Sequence, residues 1–136
     1  MYKALIIILM SSNFILCQSK IEIIDTSKTI SGFNIEETYP NPYGGATIMR
    51  FCVPDTIYAK VTVFSAYKGG NINLGDTVSV IYEGLIKPGW YQATWNGKNA
   101  NKIRAEFGIY FIGVSCWNRK PSISKSFSGY TKIFLL

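Results

Sequence analysis

Gly89 to Phe111 reads GWYQATWNGKNANKIRAEFGIYF. From Trp90 to Asn96 the residues alternate. Tyr91, Ala93 and Trp95 share one parity, and Trp90, Gln92, Thr94 and Asn96 share the other. Period two with one apolar face and one mixed face is the signature of a strand that is buried on one side. Asn96-Gly97 and Asn99 then break the alternation, being residues that tolerate positive φ. Gly108-Ile109-Tyr110-Phe111-Ile112 opens a second strand. A polar loop of about ten residues between two such strands makes either a long-looped hairpin or a connection between two sheets. The stretch carries no constellation of catalytic groups. It reads as the centre of a small all-β domain.

Working outward, short strands recur at intervals marked by turn residues. Ala46–Val53 alternates with Met49, Phe51 and Val53 facing in and Ile48, Arg50 and Cys52 facing out. Pro54-Asp55 ends it. Ile57–Phe64 follows, with Ala59, Val61 and Val63 opposite Tyr58, Lys60, Thr62 and Phe64. Lys68–Asp76 is a loop rich in Gly and Asn. Thr77–Tyr82 sets Val78, Val80 and Tyr82 on one face, and Lys87-Pro88-Gly89 fits a type II turn. Beyond the central pair, Asn118–Pro121 forms a turn, and Phe127–Leu136 is a last strand with Ile133 and Leu135 pointing inward. The mature chain has no segment of helical period. A single sheet would leave one face of these aromatic-rich strands in water, so two packed antiparallel sheets are expected.

Bulk composition agrees with one folded domain. The chain has 136 residues, 48% of them apolar and 15% aromatic, which suffices for a core and argues against disorder. It has no histidine and eight carboxylates. The usual general base and the usual zinc ligand are therefore missing. Net charge is +6, but the basic residues are dispersed, without an Arg-rich run. No nucleic-acid partner is expected.

Residues 1–17, MYKALIIILMSSNFILC, read as a secretory signal peptide: Lys3, then the apolar run Ala4–Met10 with Phe14–Leu16. The run is short for a membrane span, so no stable span is expected once the signal is cleaved. Cys17 is a candidate for lipidation, but bulky Leu16 precedes it where small residues are expected. Residues 18–38 are polar with scattered Ile and read as a tether, with one short strand near Lys20–Ile24. Residues 39–136 form the domain. Tyr39-Pro40-Asn41-Pro42 leads into it rigidly, since each proline removes a donor and holds its predecessor extended.

The order of these marks is specific. Tyr39-Pro40-Asn41-Pro42 precedes Arg50-Phe51-Cys52-Val53-Pro54 and Lys60-Val61-Thr62-Val63-Phe64. Pro88-Gly89-Trp90-Tyr91, Trp95-Asn96-Gly97-Lys98-Asn99, Gly108-Ile109-Tyr110-Phe111 and Thr131-Lys132-Ile133 follow. This series resembles the C-terminal sorting domains of the type IX secretion system and the related Ig-like domain of flagellar hook-capping proteins. It covers Tyr39–Leu136. The loop at Lys68–Asp76 is longer than in that family, Asn96 stands where Asp is common, and Ala105-Glu106-Phe107 precedes Gly108 where small residues are usual. Such domains ordinarily trail a large cargo, whereas about twenty residues separate this one from the signal peptide; the sequence is either a fragment or a domain that is itself the protein.

The resemblance implies an Ig-like antiparallel β-sandwich of about seven strands. It also implies a non-enzymatic role with no cofactor and no metal: directing export across the outer membrane to the cell surface or medium. The partners would be components of the outer-membrane translocon. The motif residues carried over are Tyr39, Pro40, Asn41, Pro42, Trp95, Asn96, Gly97, Gly108, Tyr110, Lys132 and Ile133, with the terminal Lys132-Ile133 strand as the recognition element. The alternative is a structural or adhesive surface domain. Its contacts to a polysaccharide or protein would come from Trp90 and the loop residues Asn71 and Asn73, with Trp90, Trp117 and Tyr130 forming an aromatic surface. Cys52 and Cys116 have opposite parity, and a bridge between them would need geometry that spacing does not supply.

Overall fold

The computed structural model describes residues 18–25, 30–41, 44–66, 74–118 and 126–136. Residues 1–17, Pro42, Asn71 and Asn73 lie outside that set, and with them the segment expected as a signal peptide and residues 68–73 of the expected Lys68–Asp76 loop; Leu74–Asp76 belong to a strand instead. The described elements are strands only: β1 (Lys20–Asp25), β2 (Asn34–Ile35), β3 (Thr47–Val53), β4 (Ile57–Ala66), β5 (Leu74–Ile86), β6 (Gly89–Trp95), β7 (Gly108–Trp117) and β8 (Ser126–Leu135). They form two antiparallel sheets of four, in the orders β1-β6-β3-β2 and β5-β4-β7-β8. The chain therefore changes sheet after β3, β5 and β6. From β3 to β8 this is the Ig-like path through strands B, C, C′, E, F and G, with β1 and β2 added at the two edges of the first sheet.

The core follows the period-two alternation. Met49, Phe51 and Val53 of β3 and Tyr91, Ala93 and Trp95 of β6 face across the layer gap. They meet Ala59, Val61 and Val63 of β4, Tyr110, Ile112, Val114 and Cys116 of β7, and Ile133 and Leu135 of β8; all are buried. β6 alternates buried and half-buried along its whole length. The loop after it joins the two sheets, since β6 and β7 belong to different layers.

The structure departs from the sequence expectations in three places. The segment expected as a tether has its expected strand near Lys20–Ile24 as β1, but that strand and a second one, β2, are built into the first sheet. β1 pairs with β6 from Lys20↔Thr94 to Asp25↔Trp90, and β2 pairs with β3 through Asn34↔Cys52 and Ile35↔Phe51. An edge strand needs few apolar residues, and Ile21, Phe33 and Ile35 supply the packing here. The second departure is in β5, whose pairing with β4 jumps from Val61↔Tyr82 to Thr62↔Val80. The extra residue, Ile81, reverses the alternation. Val78, Ile81 and Tyr82 then pack on the core while Val80 is 43% exposed. The third is at Lys87-Pro88-Gly89. Gly89 has φ 156° rather than the value near +80° of a type II turn. The segment is a corner between sheets, not a hairpin.

Candidate functional site

The lead-in Thr38–Asn41 crosses from the edge of the first sheet to the edge of the second. Tyr39 pairs with Ile48 through both backbone groups, each at 2.9 Å. Thr47 Oγ1 donates to the Pro40 carbonyl at 2.9 Å, and the Tyr39–Pro40 peptide is cis. The pairing with Ile48 and the Thr47 bond anchor the segment that brings Asn41 to β8. Its Nδ2 donates to the Lys132 carbonyl at 2.8 Å, and its Oδ1 accepts from the Phe134 N–H at 2.9 Å. Thr38 Oγ1 adds a bond to the same carbonyl at 3.2 Å. One primary amide thus does what a neighbouring strand would do, giving a donor to one residue and an acceptor to the residue two further on. Asn41 and the Lys132-Ile133 segment, motif ends 91 residues apart, meet here. Within this group Tyr39 is 74% exposed and Ile133 fully buried.

A second cluster gathers Trp95, Asn96, Gly97, Gly108 and Tyr110. Trp95 is fully buried. Its Nε1 donates to the Lys98 carbonyl at 3.0 Å, and its ring lies 5.3 Å from that of Tyr110 at 56°, a tilted aromatic contact. The Tyr110 hydroxyl donates to the Glu106 carbonyl at 2.7 Å. Asn96 Oδ1 accepts from Lys98 N–H at 3.1 Å, an Asx turn, and from Ser19 Oγ at 3.0 Å. Gly97 then takes φ 79°, and its carbonyl accepts from Ala105 N–H at 2.8 Å. Asn99 Oδ1 accepts from the N–H groups of Asn101 and Ile103 at 2.9 and 3.0 Å. Gly108 opens β7 at φ 151°, a region closed to side chains with a Cβ. These residues hold a long inter-sheet loop in one shape. The loop is tied to the segment just before β3 where Arg104 Nη2 donates to the Gly44 carbonyl at 2.7 Å.

Trp90, Trp117 and Tyr130 do not form one surface. Trp90 points off the first sheet and is half-buried. Trp117 stacks on Tyr58 at 6.3 Å, and Tyr130 meets Phe111 edge-on at 5.5 Å, both on the outer side of the second sheet. That outer side, which the sequence reading did not assemble, also presents Leu85, Val80 and Phe134 to solvent. Its signal was the apolar content of the outward parity of β4, β7 and β8. An open cleft of about 900 Å³ lies at one end of the sandwich, bordered by Asp76, Asn99, Arg104, Glu106 and Phe107.

Among the described residues the cysteines, Cys52 and Cys116, are free thiols. Cys116 faces the core, and burial pushes its pKa up to about 11. Cys52 faces outward by parity but is buried, with its Sγ 3.5 Å from the Gly32 carbonyl. Burial raises its pKa as well. Neither is a thiolate at neutral pH, so neither is an activated nucleophile. Among the described residues no three His, Cys, Asp or Glu side chains stand close enough to share a metal ion. No helix among them is long and apolar enough to cross a membrane. Comparison with described protein families, with curated proteins and with solved structures finds no match to this chain.

Proposed function

We propose that this chain is a non-catalytic sorting module, read in its folded state during export across an outer membrane to the cell surface or medium. The observation that carries this reading is the clasp of Asn41 on Lys132 and Phe134. In the type IX sorting domains that the sequence resembles, the proline-rich lead-in and the terminal strand are the two ends of the motif series. Here they are one structural unit, so a receptor that reads β8 reads a folded domain. The proposed partners are components of an outer-membrane translocon. The test is a fusion of Gln18–Leu136 to the C-terminus of a periplasmic reporter in a host with that system. Starting at Gln18 keeps β1 and β2 in the first sheet. The reporter is expected in the medium or on the surface; a reporter that stays wholly periplasmic overturns the proposal.

A second reading, an adhesive surface domain, is supported by the aromatic outer side of the second sheet, where Tyr130 is 58% and Leu85 55% exposed. Contiguous apolar surface of this kind marks contact sites. Retention of a polysaccharide or protein by the purified domain, lost on Tyr130→Ser with folding intact, would favour it.

A further inference from the structure

The four sheet edges are protected to different degrees. β2 is two residues long. β1 is short, carries the Lys20–Glu22 ion pair at 2.8 Å, and shifts register between Ile23 and Asp25. β5 has three register shifts against β4 and bears Asp76 and Glu83. Short length, charge and bulges are the devices that stop an edge from accepting another strand. β8 has none of them along Ser126–Tyr130, and its pairing with β7 runs unbroken from Trp117↔Ser126 to Gly108↔Leu135.

The clasp also fixes which β8 groups point outward. Lys132 C=O and Phe134 N–H face away from β7, since both bond Asn41. By the two-residue repeat, the N–H and C=O of Ser126, Ser128 and Tyr130 face the same way. These groups take no partner among the described residues. Among the described residues the row is therefore occupied at its Lys132–Phe134 end and open at Ser126, Ser128 and Tyr130.

We infer that Ser126–Tyr130 is a strand-addition site that receives an extended segment of another protein, in register with β8. The inference rests on the sorting function proposed above and names the recognition mode. The incoming strand needs an apolar side chain toward the sandwich, where Phe33 and Phe127 stack at 4.9 Å and are only half-buried. On the other side it needs an apolar or aromatic residue beside Tyr130. Backbone bonds supply affinity and these two positions supply selection. The occupant is a foreign segment rather than a second copy, because from Gln18 onward the Lys and Arg outnumber the Asp and Glu and two such chains repel each other.

The experiment uses the Gln18–Leu136 reporter fusion with three variants. Ser128→Pro removes one outward donor, and an edge strand tolerates proline on that side. S128K/Y130K leaves the backbone intact and places edge charges there, so it serves if the proline variant unfolds. Ser115→Lys sits on the same sheet face one strand inward and leaves the edge free. Export is expected to fall by roughly tenfold in Ser128→Pro, about the worth of one lost hydrogen bond, and by a similar factor in S128K/Y130K, whose edge charges oppose an added strand. Ser115→Lys is expected to export as wild type, and all folded variants should keep their melting temperatures within a few degrees of wild type. Wild-type export with undiminished export of folded Ser128→Pro and S128K/Y130K overturns strand addition and leaves the sorting function standing. A wild-type fusion held in the periplasm overturns both. Sedimentation showing a dimer that Ser128→Pro dissolves overturns the foreign partner in favour of a second copy.

Discussion

Asn41 Oδ1 accepts from the Phe134 N–H and its Nδ2 donates to the Lys132 carbonyl, so two substitutions separate the two halves of the clasp. Asn41→Ala removes both bonds and is expected to cost about 1–2 kcal/mol, since each net hydrogen bond contributes about 1 kcal/mol and the site is exposed. Asn41→Asp keeps the acceptor and loses the donor. The Phe134 amide should therefore exchange quickly with solvent in Asn41→Ala and stay protected in Asn41→Asp; fast exchange in both would show that the carbonyl bond, not the amide bond, holds β8. At the core, Tyr110→Ala is expected to cost on the order of 3–5 kcal/mol, because it opens space beside fully buried Trp95. Trp90→Ala should cost less by about 2 kcal/mol, as its side chain lies on the outer face of the first sheet and its loss leaves no cavity in the core. Urea midpoints measure the difference, and equal values would reverse the assignment of faces on β6.

Alternation in β3, β4, β6 and β7 was legible in the sequence, since each of these strands has one side in the core and repeats every second residue. The inward sides of Met49-Phe51-Val53 and Tyr110-Ile112-Val114 could be read directly. β5 was less legible because its bulge at Ile81 obeys the twist of the sheet and leaves no mark in residue type. β1 could be read as a short strand near Lys20–Ile24 but not as part of the sheet, and β2 was hidden altogether: an edge strand buries little, and Ile21, Phe33 and Ile35 stand among polar neighbours. Their contribution is testable. A chain beginning at Tyr39 leaves the edges of β6 and β3 bare and loses those three contacts. It is expected to be less stable than one beginning at Gln18 by about 2–4 kcal/mol, read from denaturant midpoints; identical midpoints would show that β1 and β2 contribute nothing. On β7, burial raises the Cys116 pKa from 9.0 to about 11. The folded state then holds this proton more tightly than the unfolded chain. Its contribution is complete below pH 9 and is lost as pH rises through about 11. Cys52, Tyr91 and Tyr110 shift in the same direction, each first through burial. Stability should be flat at neutral pH and fall in alkali, less steeply in Cys116→Ala; a decline of equal slope in that variant would assign it to the other groups.

At the scale of the molecule, the sandwich is a frame that joins two distant stretches of sequence at one edge. The candidate site was only half visible beforehand. The motif order named Asn41 and Lys132, but not that a side-chain amide of one completes the backbone ladder of the other. That relation depends on Tyr39 pairing with Ile48 and on Thr47 holding Pro40, and no local pattern encodes it. The aromatic outer side of the second sheet went unread for a similar reason, since its rows cross strands that are far apart in sequence. The proposed sorting of a folded domain would make export a function of stability as well as of contact. The most direct measurement is the location of a reporter carrying Gln18–Leu136, compared with the same fusion bearing Tyr110→Ala or Trp90→Ala. The account predicts wild-type and Trp90→Ala reporters in the medium or on the surface, and Tyr110→Ala retained to the extent that it unfolds. A wild-type reporter that is folded and wholly periplasmic would contradict it.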